Sequence, residues 1–208
     1  SALLGIDVKW IYPENAESVV SAEITPEKLR KFLKSSEEKP VAVYITSPDY
    51  LGNIQDVSAV AKLCRAYGAL LLVDNAHGAY LRFLEASLHP MDLGADICCD
   101  SAHKTLPAVT GSAYLHLSKR LPPLFREQAK NALALFGSTS PSYLILQSLD
   151  AVNGYLADGY TEKLNAFTRK VYELKERLSA RGFTLMGAEP LKITLLTKPY
   201  GWTGDGLA

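Results

Sequence analysis

A chain of 208 residues is long enough for one large domain, or for one domain and part of another. It is 48% hydrophobic and 21% charged, which gives it a real core and excludes disorder by composition. Its 22 basic residues balance 22 acidic ones, so nothing electrostatic draws it to nucleic acid or an anionic membrane, and no apolar run reaches the about 18 residues of a membrane span.

The opening Ser1-Ala2-Leu3-Leu4-Gly5 lacks the charged start of a signal peptide. Three cysteines (Cys64, Cys98 and Cys99) cannot build a disulfide framework. The adjacent pair reads as small apolar side chains in a buried strand, and a reducing, cytoplasmic setting is expected. There is no initiator Met, and the last residues from Trp202 look like the opening of a helix. The expectation is a piece of something longer.

Strand and helix patterns alternate along the chain. Residues 8–12 suggest a short strand. Thr25-Pro26-Glu27 opens a helix, with Thr as N-cap and Pro at the first helical position. The continuous apolar run 41–45 has the pattern of a strand buried on both faces. A turn, 46–52, follows. Asn53 is then expected to cap a helix carrying Ile54, Val57, Val60, Ala61 and Cys64 at helical spacing. Further strands are expected at 69–73, 95–99 and 112–117. These β-α-β alternations indicate an α/β fold, a mostly parallel sheet covered by helices. Helices are expected at 121–136, 142–156 and 161–180, the last with Leu164, Phe167, Val171, Leu174 and Leu178 on one face and Gly182 as a stop. Residues 191–196 suggest a strand of a new unit. The expected division is a major domain over 1–160, with a connecting helix and the start of a small α/β domain over 161–208.

Open α/β sheets place ligands beyond the carboxyl ends of their strands. Three informative segments fall there: Thr46-Ser47-Pro48, Asp74-Asn75-Ala76-His77 and Asp100-Ser101-Ala102-His103-Lys104-Thr105. Asp74 alone would pass for a turn residue, and His77 alone for scaffold. Lys104 changes the weighing, because it sits among Ser101, His103 and Thr105 rather than on a charged helical face. A strand-end lysine with a carboxylate at a neighbouring strand end is what pyridoxal 5'-phosphate (PLP) requires. The amine forms a Schiff base, and the carboxylate keeps the pyridine nitrogen protonated. Ser101, His103 and backbone amides can donate to a phosphate. The thirty residues from Asp74 to Lys104 leave room for one helix and one strand, so the two groups can converge.

The segment from Val73 to Tyr80, with Asp100 to Ala108 downstream, resembles the fold-type I PLP enzymes. More narrowly, it is similar to the major domain of the bacterial ornithine/lysine/arginine decarboxylases. The stretch from Ile45 to Gly52 resembles the turn Thr-x-Pro-x-Tyr-x-Gly of that family, and Phe136 to Tyr143 its Thr-Ser-Pro-Ser-Tyr segment. The resemblance implies that Lys104 carries the cofactor and that Asp74 partners the pyridinium. It implies that Ala76 packs on one ring face, and that His77 lies near the ring oxygen or the substrate carboxylate. Ser101 and His103 would hold the phosphate, and Ser47 would approach the ring hydroxyl. Ser138 or Thr139 would reach the phosphate of a neighbouring subunit's cofactor, since this family builds its site at a dimer interface. A homodimer or larger assembly follows, with a small-molecule amino-acid substrate. On this resemblance, the family's first phosphate-binding loop and second ring-stacking residue are expected to precede Ser1, and most of its small domain to follow Ala208. The implied activity is decarboxylation of a basic amino acid, with Lys104 or His77 as proton donor. An aminotransferase or lyase on the same fold is the alternative, and a cofactor-free piece with an assembly role is another.

Overall fold

The structure, a computed structural model, describes residues 4–13, 22–137, 140–203 and 206. The first helix, α1 (Pro26–Ser35), starts where the Thr25 hydroxyl accepts the Lys28 amide at 3.2 Å. Its buried face is Leu29 and Leu33. Strand β1 (Ala42–Thr46) leads through a loop to α2 (Val57–Tyr67), which ends at Gly68 in the left-handed conformation. Strand β2 (Leu70–Asp74) follows. A short 3-10 turn (Ala79–Phe83) and the one-turn α3 (Pro90–Leu93) lead into β3 (Ile97–Asp100). The one-turn α4 (Ala102–Thr105) precedes β4 (Tyr114–Leu117).

The sheet order is β1-β2-β3-β4, with the first three strands parallel and β4 antiparallel to β3. Crossovers between parallel strands share one hand, so strands laid down in sequence order put their helices on a single face. That is the arrangement found. Val43, Leu71, Val73 and Cys98 meet Leu29, Leu33, Val57, Val60, Ala61 and Cys64 in the main core. The opposite face carries Ala42, Tyr44, Leu72, Cys99 and Leu115, and none of them joins either core. The run 41–45 is therefore buried on one face only, with Tyr44 open on the other and Val41 exposed ahead of the strand. No regular element forms at 8–12, although Ile11 packs on the main core. Asn53 does not cap α2. Asp56 does, accepting the Ala59 amide at 3.0 Å, because Asn53 is held by Asp49.

The rest is helical: α5 (Pro123–Phe136), α6 (Tyr143–Ala157) and α7 (Tyr160–Ala180). Leu164 of α7 and Val152 of α6 join Ala79, Tyr80, Leu81 and Leu106 in a second core. A two-stranded antiparallel hairpin of β5 (Leu185–Met186) and β6 (Thr194–Leu195) ends the described fold. It is shorter than the run 191–196 suggests. Its loop lies on the loop after β1, where the Gly52 carbonyl accepts the Ala188 and Glu189 amides, both at 2.9 Å. Among the described residues no helix is long and apolar enough to cross a membrane.

Leu71 is fully buried at the centre of the main core. Leu71→Ala should lower the stability by about 3 kcal/mol, the usual sum of lost transfer energy and an unfilled cavity. Urea unfolding measures it. A loss below about 1 kcal/mol would mean that the core closes over the gap.

Candidate active site

Asp74 is the last residue of β2 and Thr46 the last of β1, and the two are register partners. The Asp74 carboxylate is held at both oxygens. Oδ1 accepts the Ala76 amide at 3.0 Å, and Oδ2 accepts the Tyr44 hydroxyl at 3.1 Å. The turn that follows closes with the Gly78 amide on the Asn75 carbonyl at 2.9 Å. Residue 78 must be glycine for space, since a Cβ there would lie 2.0 Å from Asn75 Oδ1 and 2.8 Å from Pro48. Packed this tightly, the turn presents Ala76 and His77 to a cleft of about 330 Å³. Thr46, Asp49, Tyr50, Asp74 and Lys104 also line it.

Lys104 arrives from the neighbouring strand end. It is the third residue of α4, directly after β3. Its Nζ lies 3.5 Å from His77 Nε2, and among the described residues it forms no ion pair. His77 also meets the Tyr50 ring edge-on at 5.9 Å. Burial and the positive charges of Lys104 and Lys192 push the His77 pKa below its ordinary value, with Asp74 and Asp49 pulling weakly the other way. The shift favours the uncharged imidazole at neutral pH.

The structure thus brings four of the expected residues, Asp74, Ala76, His77 and Lys104, onto one cleft. The others stand apart from it. Ser47 is buried, and its hydroxyl accepts the Gln55 amide at 3.1 Å, so Thr46 takes its place in the lining. The peptide bond from Ser47 to Pro48 is cis. Ser101 precedes α4 as its N-cap and does not line the cleft. His103 uses Nδ1 on the Ser112 carbonyl at 3.0 Å, tying α4 to the loop before β4. Ser138 and Thr139 lie outside the described residues.

Three features escape a reading of the sequence. One is the Tyr44 hydroxyl bond to Asp74. Another is Asp49, which lines the cleft but is saturated by the amides of Ala22, Leu51 and Asn53 and by the Asn53 side chain. The third is Asp100, 3% exposed at the end of β3. Its Oδ2 accepts His89 Nε2 at 3.0 Å and His116 Nε2 at 2.8 Å, and its Oδ1 accepts Asn75 Nδ2 at 2.7 Å. Burial raises its pKa, but these bonds outweigh that and hold the carboxyl far below the usual carboxylate range. The ligand atoms of His89, Asp100 and His116 lie within 4.8 Å of one another, as in a metal site. The hydrogen bonds give them another task. His89 Nδ1 accepts the Met91 amide, so its Nε2 carries the ring proton and donates it to Asp100.

An α/β sheet whose neighbouring strand ends bring a lysine and an anchored carboxylate to one cleft is the framework of a fold-type I PLP enzyme. Solved structures agree on the fold. The pyridoxamine-pyruvate aminotransferase of Mesorhizobium loti superposes with a TM-score of 0.61 at 23% identity, over 81% of this chain and 47% of that one. The family follows from sequence: residues 5–197 match the model of the Orn/Lys/Arg decarboxylase major domain, and the chain belongs to that family. An arginine decarboxylase of Halalkalibacterium halodurans is 30% identical over 94% of this chain. The uncharacterized protein YaaO of Bacillus subtilis is 34% identical over 74% of it. The chain spans 42% of the first of these proteins and 34% of the second.

The family is PLP-dependent. The described residues fit the cofactor at two points. Lys104 offers an amine without a carboxylate partner, and Asp74 an anchored carboxylate on the same cleft. Next to Lys104 in sequence, the buried Thr105 hydroxyl has no hydrogen-bond partner among the described residues.

The charge of Lys104 is read by His77. Removing it favours the protonated imidazole, so Lys104→Gln should raise the His77 titration midpoint in the cofactor-free protein. Histidine ring NMR against pH follows this directly. A midpoint that stays or falls would show that the two groups do not face each other.

Proposed function

We propose that this chain supplies the cofactor-binding part of an enzyme that releases the α-carboxyl group of a basic amino acid as carbon dioxide. The observation that carries the reading is the placement of the Lys104 amine and the Asp74 carboxylate on one cleft at adjacent strand ends. PLP, when bound, supplies a cationic ring that accepts the electron pair left on the substrate carbon. Asp74 supports that role as an anion placed to keep a ring nitrogen protonated, an opposite charge favouring the charged form. Its two protein hydrogen bonds limit its rotation. Lys104 is the amine that holds the cofactor, and His77 is near enough to exchange a proton with it. Ala76, small and lining the cleft, leaves room for a flat ring. The family and the arginine decarboxylase relatives favour a basic substrate.

The same reading calls for a second subunit. Helix α5 has no buried residue, and Leu133, Leu135, Phe136, Tyr143 and Leu144 are all exposed around residues 138–139. Exposed apolar side chains concentrated in this way are the usual material of interfaces, and in sequence these flank residues 138–139, which the family resemblance assigns to a neighbouring cofactor. In the full-length protein, Leu135→Asp with Phe136→Asp should turn a dimer into monomers in sedimentation and remove activity with it. A fully active monomer would overturn the shared-site reading.

Asp74→Asn keeps the shape and removes the charge. It should cut carbon dioxide release by at least about a hundredfold, the usual cost of losing one group that stabilises developing charge, while the melting temperature holds. Borohydride treatment of the PLP-loaded protein should tag Lys104 and no other lysine. Release within about threefold of normal in Asp74→Asn, or a tag elsewhere, would overturn the assignment.

A further inference from the structure

We propose that Tyr44 is a positioning residue for Asp74, its phenol fixing the direction in which the carboxylate faces the cleft; the proposal rests on the reading of Asp74 given above. Tyr44 and Asp74 lie on the same bare face of the sheet. Tyr44 pairs with Leu72 and Thr46 with Asp74, so the ring reaches along the face past one pleat, about 7 Å of strand rise, to meet the acid. Its hydroxyl ends 3.1 Å from Asp74 Oδ2.

Three further observations set this contact apart from ordinary packing. Tyr44 is 66% exposed and belongs to neither core, so core packing does not explain its position. Asp74 Oδ1 is already taken by the Ala76 amide, which leaves Oδ2 as the oxygen whose direction is still to be set. The phenol is also locked as a donor: partial burial and then the Asp74 charge push its pKa up to about 12. A carboxylate held at one oxygen can pivot about that bond. Held at both, it keeps its remaining lone pairs in a fixed direction, and binding loses no further freedom in ordering them.

The test is a double-mutant cycle with two readouts, both on the full-length protein. Tyr44→Phe should weaken PLP binding about three- to tenfold, as expected for losing one modest hydrogen bond. It should lower kcat by a similar factor and leave KM for the amino acid and the melting temperature unchanged. Asp74→Asn should weaken binding further, and adding Tyr44→Phe to it should cost clearly less than it does in the parent, since the phenol then faces a neutral amide in place of a carboxylate. The cofactor-free protein gives the second readout by NMR of ring-labelled tyrosine. There Asp74→Asn should lower the Tyr44 midpoint toward the ordinary tyrosine value. The proposal is overturned if Tyr44→Phe costs the same factor with and without Asp74, if it costs nothing where Asp74→Asn is impaired, or if the Tyr44 midpoint ignores Asp74. Normal PLP binding and activity in Asp74→Asn alone would instead defeat the reading of Asp74, and this inference with it.

Discussion

The site depends on a single buried carboxylate behind it. Asp100 ends β3 and stands four residues before Lys104. Asn75 follows Asp74 at the end of β2 and is fully buried. The 2.7 Å bond from Asn75 to Asp100 therefore ties together the two strand ends that carry the lysine and the acid. The backbone repeats the tie, since the Asn75 amide donates to the Cys99 carbonyl at 2.9 Å. A buried charge is costly unless fully bonded. Asp100 meets that demand with two histidines and an amide. Its depressed pKa makes it a source of stability at neutral pH. The sign follows from linkage: the contribution is present above the unfolded carboxylate value and is lost as pH falls through the lower folded one, so the strand-end tie weakens only below about pH 4.

A second constraint holds the front of the cleft. Glu189 is buried, and its carboxylate accepts the Tyr80 hydroxyl and the Lys192 amide. Beside it, Gly187 has a φ of +76°, and a Cβ there would sit 2.6 Å from the Gly52 carbonyl carbon. Only glycine permits both the conformation and the approach. The hairpin loop is thereby pressed onto the loop 46–53. Lys192 donates to the Tyr50 carbonyl at 2.9 Å and stands 5.3 Å above the Tyr50 ring. Tyr50 in turn borders His77. The hairpin thus borders the cleft through the Tyr50 ring, and the Lys192 charge acts on His77 as well.

How much of this was legible in the sequence depended on the range of the interaction. The strand-end placement of Asp74 and Lys104 could be read because a strand end is a local feature. Thr25 at the start of α1 was legible for the same reason, since a cap acts within three residues. Asn53 misled because Asp49, only four residues earlier, captured it. The run 41–45 misled because apolar content cannot reveal strand order. Only the sequential order β1 to β4 puts the helices on one face and leaves Tyr44 open. Ser47 carried the right chemistry but turned inward to the Gln55 amide. Tyr44 and Asp100 acquire their roles from partners 11 to 30 residues away, and no local pattern announces such pairs.

These layers divide the work of the site between strands and loops. Strand pairing and the Asp100 tie fix where Asp74 and Lys104 begin. The tight turn at Gly78 fixes where Ala76 and His77 point. What remains soft is the pair of polar groups facing each other across the cleft. His77 Nε2 lies 3.5 Å from Lys104 Nζ, at the outer limit for a hydrogen bond between two nitrogens, so the contact is loose. Burial first, and then the charges of Lys104 and Lys192, lower the His77 pKa and so favour the imidazole with a free lone pair. An uncharged imidazole does not pin the Lys104 amine, which forms no ion pair among the described residues, whereas a carboxylate in that place would hold it fixed. The absence of an acid next to Lys104 among the described residues is thus as consequential as the presence of Asp74 at the other end of the cleft.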